Sequence, residues 1–445
     1  MRVQGLAPAN EAIYAAAAMG WERGLRWSLW TIVCAAPLPF GAAPGWAWAP
    51  LAVAVGVLTA VWGAGVAAGV LGWRAAARPG GWAYPLTALV LAWAAIQSLH
   101  GLPGAHPVWA GLADVLGQAP AGAISADPAA TRAAVARLAM VGGVAVLALH
   151  LGGGAADRER LLTVLVVVAA GYSLYALAEM AAGWDTILGA AQPAYRDAAT
   201  APFINRNAFA AYAGTALVTA AALLAATVRR RGWLALIERA WPVLAAALVL
   251  AAALVGAQSR GGLAATAVGL IAVAFARPRG REPRWLAWSV GGGVVLAAGS
   301  TLALMARWGA VGEQVAERLH IYAATLELIA QRPLLGHGAG AFAAVFPGVR
   351  PPALADPVVH AHSVYLQAAA GLGVPGALGL LAAVAALAVA CWRTARGGSV
   401  AGRAGVGAAA LAATHGLIDF APQVPAVALT LAAVIGLGAA RPSRA

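Results

Sequence analysis

From Pro242 to Ala276 the chain runs for 35 residues whose one polar cluster is Gln258-Ser259-Arg260, followed at once by Gly261-Gly262. As a single helix this stretch would reach about 52 Å at ~1.5 Å per residue, too long for a hydrocarbon layer about 30 Å thick. It must turn back at the polar cluster, which predicts two apolar helices with one arginine at their shared tip. The rest of the chain is of the same kind. Hydrophobic residues fill 62% of the 445 positions, charged residues 10%, and the mean hydropathy is +0.78, which excludes a soluble fold.

At ~20 apolar residues per crossing, the pattern predicts spans near 28–43, 48–71, 84–99, 133–151, 161–182, 204–227, 242–257, 262–276, 285–304, 363–391, 404–418 and 424–440. The expected fold class is therefore all-α: a polytopic membrane protein of about 12 transmembrane helices with one large outer loop between spans 9 and 10. It divides into an amphipathic lead-in at 1–27, N-terminal spans at 28–199, a core at 200–440 that includes the loop 305–362, and a tail at 441–445. The formal charge of +13 would suggest nucleic acid in a soluble chain, but every basic residue is an arginine, 29 in all. Twenty of them fall in loops on one side of the alternating spans, as the bias of cytoplasmic loops toward arginine and lysine requires. Both termini are expected inside, and no nucleic-acid partner is implied.

The other nine, Arg132, Arg137, Arg196, Arg206, Arg260, Arg307, Arg318, Arg332 and Arg350, stand against that bias and mark the outer face as the working face. Arg260 sits beside glycines that let an anion approach the backbone, and its guanidinium fork suits phosphate oxygens. In the outer loop, Val315, Leu319, Tyr322, Leu326 and Ile329 recur at helical spacing over 311–331, with Arg318 at the edge of that stripe. The helix should stop at Arg332-Pro333 and give way to a glycine-rich turn, Leu334 to Gly340. His360 and His362 immediately precede an apolar run, with Ser363 and Gln367 beside them. If the span has already begun there, only one histidine faces a given site. His415, Asp419 and Gln423 share one helix face near the outer end of a late span, a supporting group for the vestibule. Asn205-Arg206-Asn207 opens another span. Cys34 and Cys391 lie in separate apolar stretches and no metal-ligand spacing occurs, so no metal or other cofactor is expected.

Four stretches together resemble the O-antigen ligase and polymerase superfamily of bacterial envelope proteins. They are Phe203 to Asn207, Gln258 to Gly262, Arg318 followed by Pro333-Leu334-Leu335-Gly336, and His362-Ser363 with Gly373 and Gly376 at the spacing of the ligase signature. The resemblance implies transfer of a glycan from undecaprenyl diphosphate to an acceptor hydroxyl, lipid A-core or a growing polysaccharide, at the periplasmic face of the inner membrane. It implies Arg260, Arg318 and His362 as catalytic residues, working without metal. Substrate contacts are expected from Arg260, Arg318, Asn205, Arg206, Asn207, Ser259, Gly261, His360, Ser363 and Gln367. The chemistry agrees: guanidiniums neutralise a departing diphosphate, and a neutral histidine takes the acceptor's proton. A polymerase or a protein O-oligosaccharyltransferase would use the same donor site. A small-anion transporter is the alternative from another class, although the halves of the chain lack the likeness expected of paired repeats.

Overall fold

The structure, a computed structural model, describes residues 8–73, 78–118, 120–191, 194–195, 197–200, 202–278, 299 and 311–441. The expected span at 285–304, Arg196, Arg307 and most of the short C-terminal tail lie outside the described residues. Among the described residues the chain is mostly helical, with one two-stranded hairpin, β1 (Thr186–Ile187) and β2 (Ala190–Ala191). In chain order the helices are α1 (Pro8–Ala35), α2 (Gly45–Ala67), α3 (Ala83–Gln97), α4 (Val108–Leu116), α5 (Pro128–Leu151), α6 (Ala155–Ala182) and α7 (Arg206–Arg231). They continue as α8 (Ala235–Glu238), α9 (Trp241–Gly256), α10 (Arg260–Phe275), α11 (Val311–Gln331), α12 (Phe342–Val345), α13 (Val364–Arg396), α14 (Val400–Ile418) and α15 (Pro425–Ala439).

Five of these helices, α2, α5, α6, α7 and α13, are long and apolar enough to cross a membrane by length and composition. Every predicted span that lies within the described residues overlaps a helix. The first differs most, because α1 runs from Pro8 to Ala35, so part of the expected lead-in is continuous with it and the expected 36–43 lies beyond its end. The 242–276 stretch folds as expected into α9 and α10, with Gln258 in the left-handed region (φ +51) at the turn.

Polar side chains set the helix starts by accepting otherwise unpaired first-turn amides. Asp127 caps α5, Asn205 caps α7, Ser259 caps α10, Ser363 caps α13 and Ser399 caps α14. The core is a bundle of Ala-rich and Leu-rich helices centred on α7, whose most apolar stretch is 72% buried against 17% for α2. Small residues permit close packing there: α10 and α14 approach through Gly269 and Gly407, where a Cβ on Gly269 would lie 2.9 Å from the Gly407 carbonyl.

The two ends of the bundle differ in chemistry. At one end Arg26 pairs with Asp157 at 3.2 Å, Arg230 with Glu159 at 2.7 Å, and Arg158 donates to the Ala440 carbonyl at 3.0 Å. These contacts gather the end of α7 with the start of α6 and the end of α15. The start of α7, with Asn207, therefore belongs to the opposite end.

Candidate active site

At that opposite end a chain of hydrogen bonds joins four elements distant in sequence. The Gly262 amide donates to Ser259 Oγ (3.1 Å), Ser259 donates to Asn207 Oδ1 (2.7 Å), and Asn207 Nδ2 donates to Asp419 Oδ2 (2.7 Å). Arg318, reaching in from α11, donates to the same carboxylate oxygen at 3.4 Å, while the Ala421 amide donates to Oδ1 at 2.9 Å. Asp419 is 2% exposed and the Arg318 side chain 33%. The carboxylate is thus a fixed interior anchor, and the guanidinium retains an open side for an anionic ligand. Arg260, half-buried, follows Ser259 directly in the first turn of α10.

The histidines complete the cluster. His360 stacks on Phe420 with ring centroids 4.1 Å apart, and His362 meets the same ring edge-on at 5.5 Å. Both therefore pack on one aromatic ring, because α13 begins only at Val364 and the lead-in before it is not helical. His362 holds a left-handed backbone (φ +51), its carbonyl lies 3.1 Å from the Tyr322 hydroxyl donor, and its Nδ1 is buried with no partner among the described residues. Burial pushes the His362 pKa down and Arg318 adds to that, while Asp419 and Glu317 oppose it. His360 is lowered by burial and by His362. A neutral imidazole beside an open guanidinium is the arrangement needed to take a proton next to a departing anion.

Several residues expected to touch substrate have side chains committed to shaping this end. Asn205 accepts the Asn207 and Ala208 amides, Ser363 accepts the Leu366 amide, and Gln367 accepts the Ala361 amide while facing His360 Nδ1 at 3.4 Å. Arg206 lies over the Tyr195 ring, 5.1 Å from its centroid. The shared helix face expected for His415, Asp419 and Gln423 is not formed. Helix α14 ends at Ile418, Asp419 is extended, and Gln423 belongs to a separate 3-10 turn. The apolar stripe on α11, expected along the membrane or on neighbouring spans, packs within the chain only in part, through Ile329. The face packed within the chain is Ile321, Ala324 and Leu328, whereas Val315, Leu319 and Leu326 are exposed. Phe420, on which both histidines rest, carries no spacing signal in the sequence.

Ser259, Arg260, Arg318, Tyr322 and His362 all fall inside residues 245–381, which match the family model described as O-antigen ligase. The match covers under a third of the chain and is to O-antigen ligases. No curated protein matches the chain. Asn207 and Asp419, which close the hydrogen-bond chain, lie outside the matched residues.

Within the matched residues, the two glycine motifs prove to be one device. Helix α13 is broken at Gly373 (φ +75), two residues before Pro375, which has no amide to donate. The carbonyls freed by the break are all taken: Ala370 by the His337 amide, Gly371 by the Gly338 amide and Gln97 Nε2, and Leu372 by Trp93 Nε1. In return the Val374 amide donates to the Pro333 carbonyl at 2.8 Å. The glycine-rich turn therefore seats the histidine-bearing start of α13. Its amides from Gly336 to Ala339 are spent on Arg332, Ala370, Gly371 and Gln97, so these four are not offered to a phosphate.

The same turn is fastened to the 98–127 segment by two histidines. The Val108 amide donates to His106 Nδ1 (3.2 Å), His106 Nε2 lies 2.9 Å from His337 Nδ1, and His337 Nε2 lies 2.8 Å from the Leu328 carbonyl. Only two neutral rings, each protonated on Nε2, complete this relay. Burial, with His337 and Arg332 beside it, lowers the His106 pKa from the ordinary 6.5 to about 4. A depressed folded pKa means that the fastening is at full strength above pH 6.5 and weakens as pH falls toward about 4. Hydrogen exchange of residues 98–127 is therefore expected to accelerate over that interval. In His106→Phe, which cannot titrate, exchange should already be fast at pH 7 and should show no such step.

Proposed function

We propose that the chain is a membrane glycosyltransferase of the O-antigen ligase type, moving a glycan from undecaprenyl diphosphate to an acceptor hydroxyl on lipid A-core or a growing polysaccharide. The observation that carries this reading is the meeting of His362, Arg318 and Asp419 at one end of the bundle, bonded through Asn207 and Ser259 to the helix start that bears Arg260. That end is opposite the one where Arg26, Arg158 and Arg230 gather, and the bias toward arginine inside supports a periplasmic site, about twelve crossings of the inner membrane and cytoplasmic termini.

In the reaction the bond from the anomeric carbon to the phosphate oxygen breaks and a bond to the acceptor oxygen forms. The acceptor proton passes to a ring nitrogen of His362, and undecaprenyl diphosphate departs with the bonding pair. Arg318 and Arg260 neutralise the charge that develops on it, the task a divalent cation performs in other diphosphate chemistry. Asp419 orients Arg318 through one long contact that leaves its other donors open. One displacement assisted by one base inverts the anomeric centre.

The test is gel and lipid analysis of envelope glycans in a strain lacking the chain. Full-length glycan retained on lipid diphosphate identifies a ligase, and single repeat units retained there identify a polymerase. Loss of glycan from envelope proteins alone points to a protein acceptor. An unchanged glycan profile refutes the transferase reading.

A further inference from the structure

His415, in the last turn of α14, is fully buried, yet neither of its ring nitrogens has a hydrogen-bond partner among the described residues. Buried nitrogens without partners destabilise a fold, and a leucine would fill the same space without that cost. The proton transfer proposed above makes no use of this ring, and the ring lies outside the residues matched to the ligase family.

What it faces is the first turn of α10. A Cβ on Gly261 would sit 3.5 Å from His415 Nε2 and 2.8 Å from Ile418 Cδ1, so glycine at 261 lets the helix start come against the ring. The first amides of a helix have no acceptor within it. Here the Gly262 amide uses Ser259 Oγ and the Leu263 amide uses the Ser259 carbonyl, which leaves those of Arg260 and Gly261 as the donors nearest an imidazole able to accept. On its other side the His415 carbonyl receives the Asp419 amide at 3.0 Å. His415 thus meets the helix start that carries Arg260 through its ring, and through its carbonyl the backbone of the residue that holds Arg318.

We propose that His415 is a positioning residue, the seat on which the first turn of α10 closes when a lipid diphosphate engages Arg260, with a ring nitrogen accepting a first-turn amide. This rests on the glycosyl-transfer reading. Closing the turn on His415 fixes the height of the Arg260 guanidinium relative to Arg318, so the seat acts on donor binding and leaves proton transfer to His362.

The experiment uses the full-length protein in lipid nanodiscs, as wild type, His415→Leu and His415→Gln. The leucine variant is expected to unfold at or above the wild-type temperature, to raise the KM for the lipid-diphosphate donor about tenfold, the worth of one hydrogen bond, and to change kcat by less than about threefold. Glutamine, which restores an acceptor, recovers most of the KM. Inorganic diphosphate is expected to protect the Arg260 and Gly261 amides from hydrogen exchange in wild type and glutamine variant, and not in the leucine variant. A leucine variant with wild-type KM and protection overturns the proposal, as does one that unfolds at a lower temperature or a glutamine variant without recovery. If the wild type protects its amides yet transfers no glycan, the seat stands and the transferase reading falls.

Discussion

His362→Asn is expected to lower glycan transfer by about 10²–10⁴-fold, the usual worth of a positioned general base. Asparagine is the informative replacement because it tolerates the left-handed backbone that residue 362 adopts (φ +51). It removes the base without displacing the lead-in to α13. Arg260 and Arg318 remain, so the KM for the donor should stay near its wild-type value while kcat falls. The wild type should lose kcat/KM on the acid side as His362 protonates, with a midpoint below the ordinary 6.5, because burial and Arg318 hold the ring neutral. The residual activity of the variant should show no such limb. Retention of more than a tenth of the wild-type rate, or an acid limb that persists in the variant, would remove His362 from the role of base.

Gly336→Ala is expected to destabilise the protein by about 2–5 kcal/mol, adding left-handed strain to overpacking. Gly336 has φ +68, and a Cβ there would run into the Gly371 carbonyl and the Gly373 amide, the two sides of the break in α13. Thermal unfolding in detergent reads this directly. Gly348→Ala, with nothing within 4 Å of its Cβ, serves as the control and should leave the midpoint unchanged. Equal midpoints for the two variants would mean that the glycine turn does not hold the upper part of α13.

The helices were legible because each apolar run must find a membrane or a core, and its length alone separates crossing from folding back. That is why the Pro242–Ala276 hairpin could be derived from chain length and one polar cluster. His362, Arg318 and Arg260 were legible through motif spacing, and the structure places all three at one end of the bundle. What periodicity could not show were contacts between residues far apart in sequence. Gln97 bonds to Leu335 and Gly371, and His106 meets His337 across 231 positions; neither leaves a repeating signature. The His415, Asp419 and Gln423 reading failed for a local reason, since it assumed a helix beyond Ile418 that the chain abandons there. The glycine-rich turn was legible as a turn, and only the break in α13 shows where its amides are spent.

The break at Gly373 also divides labour along one nominal helix. The segment below it packs on α15, where Thr394 Oγ1 and Cys391 Sγ donate to the Gly438 and Ile435 carbonyls. The segment above it is bolted to protein by Gln97, Trp93 and the glycine turn. The break works as a splice: the upper length takes its direction from the glycine turn and the lower one from α15, so the aim of the His362 lead-in is set apart from the run of the shaft beneath it.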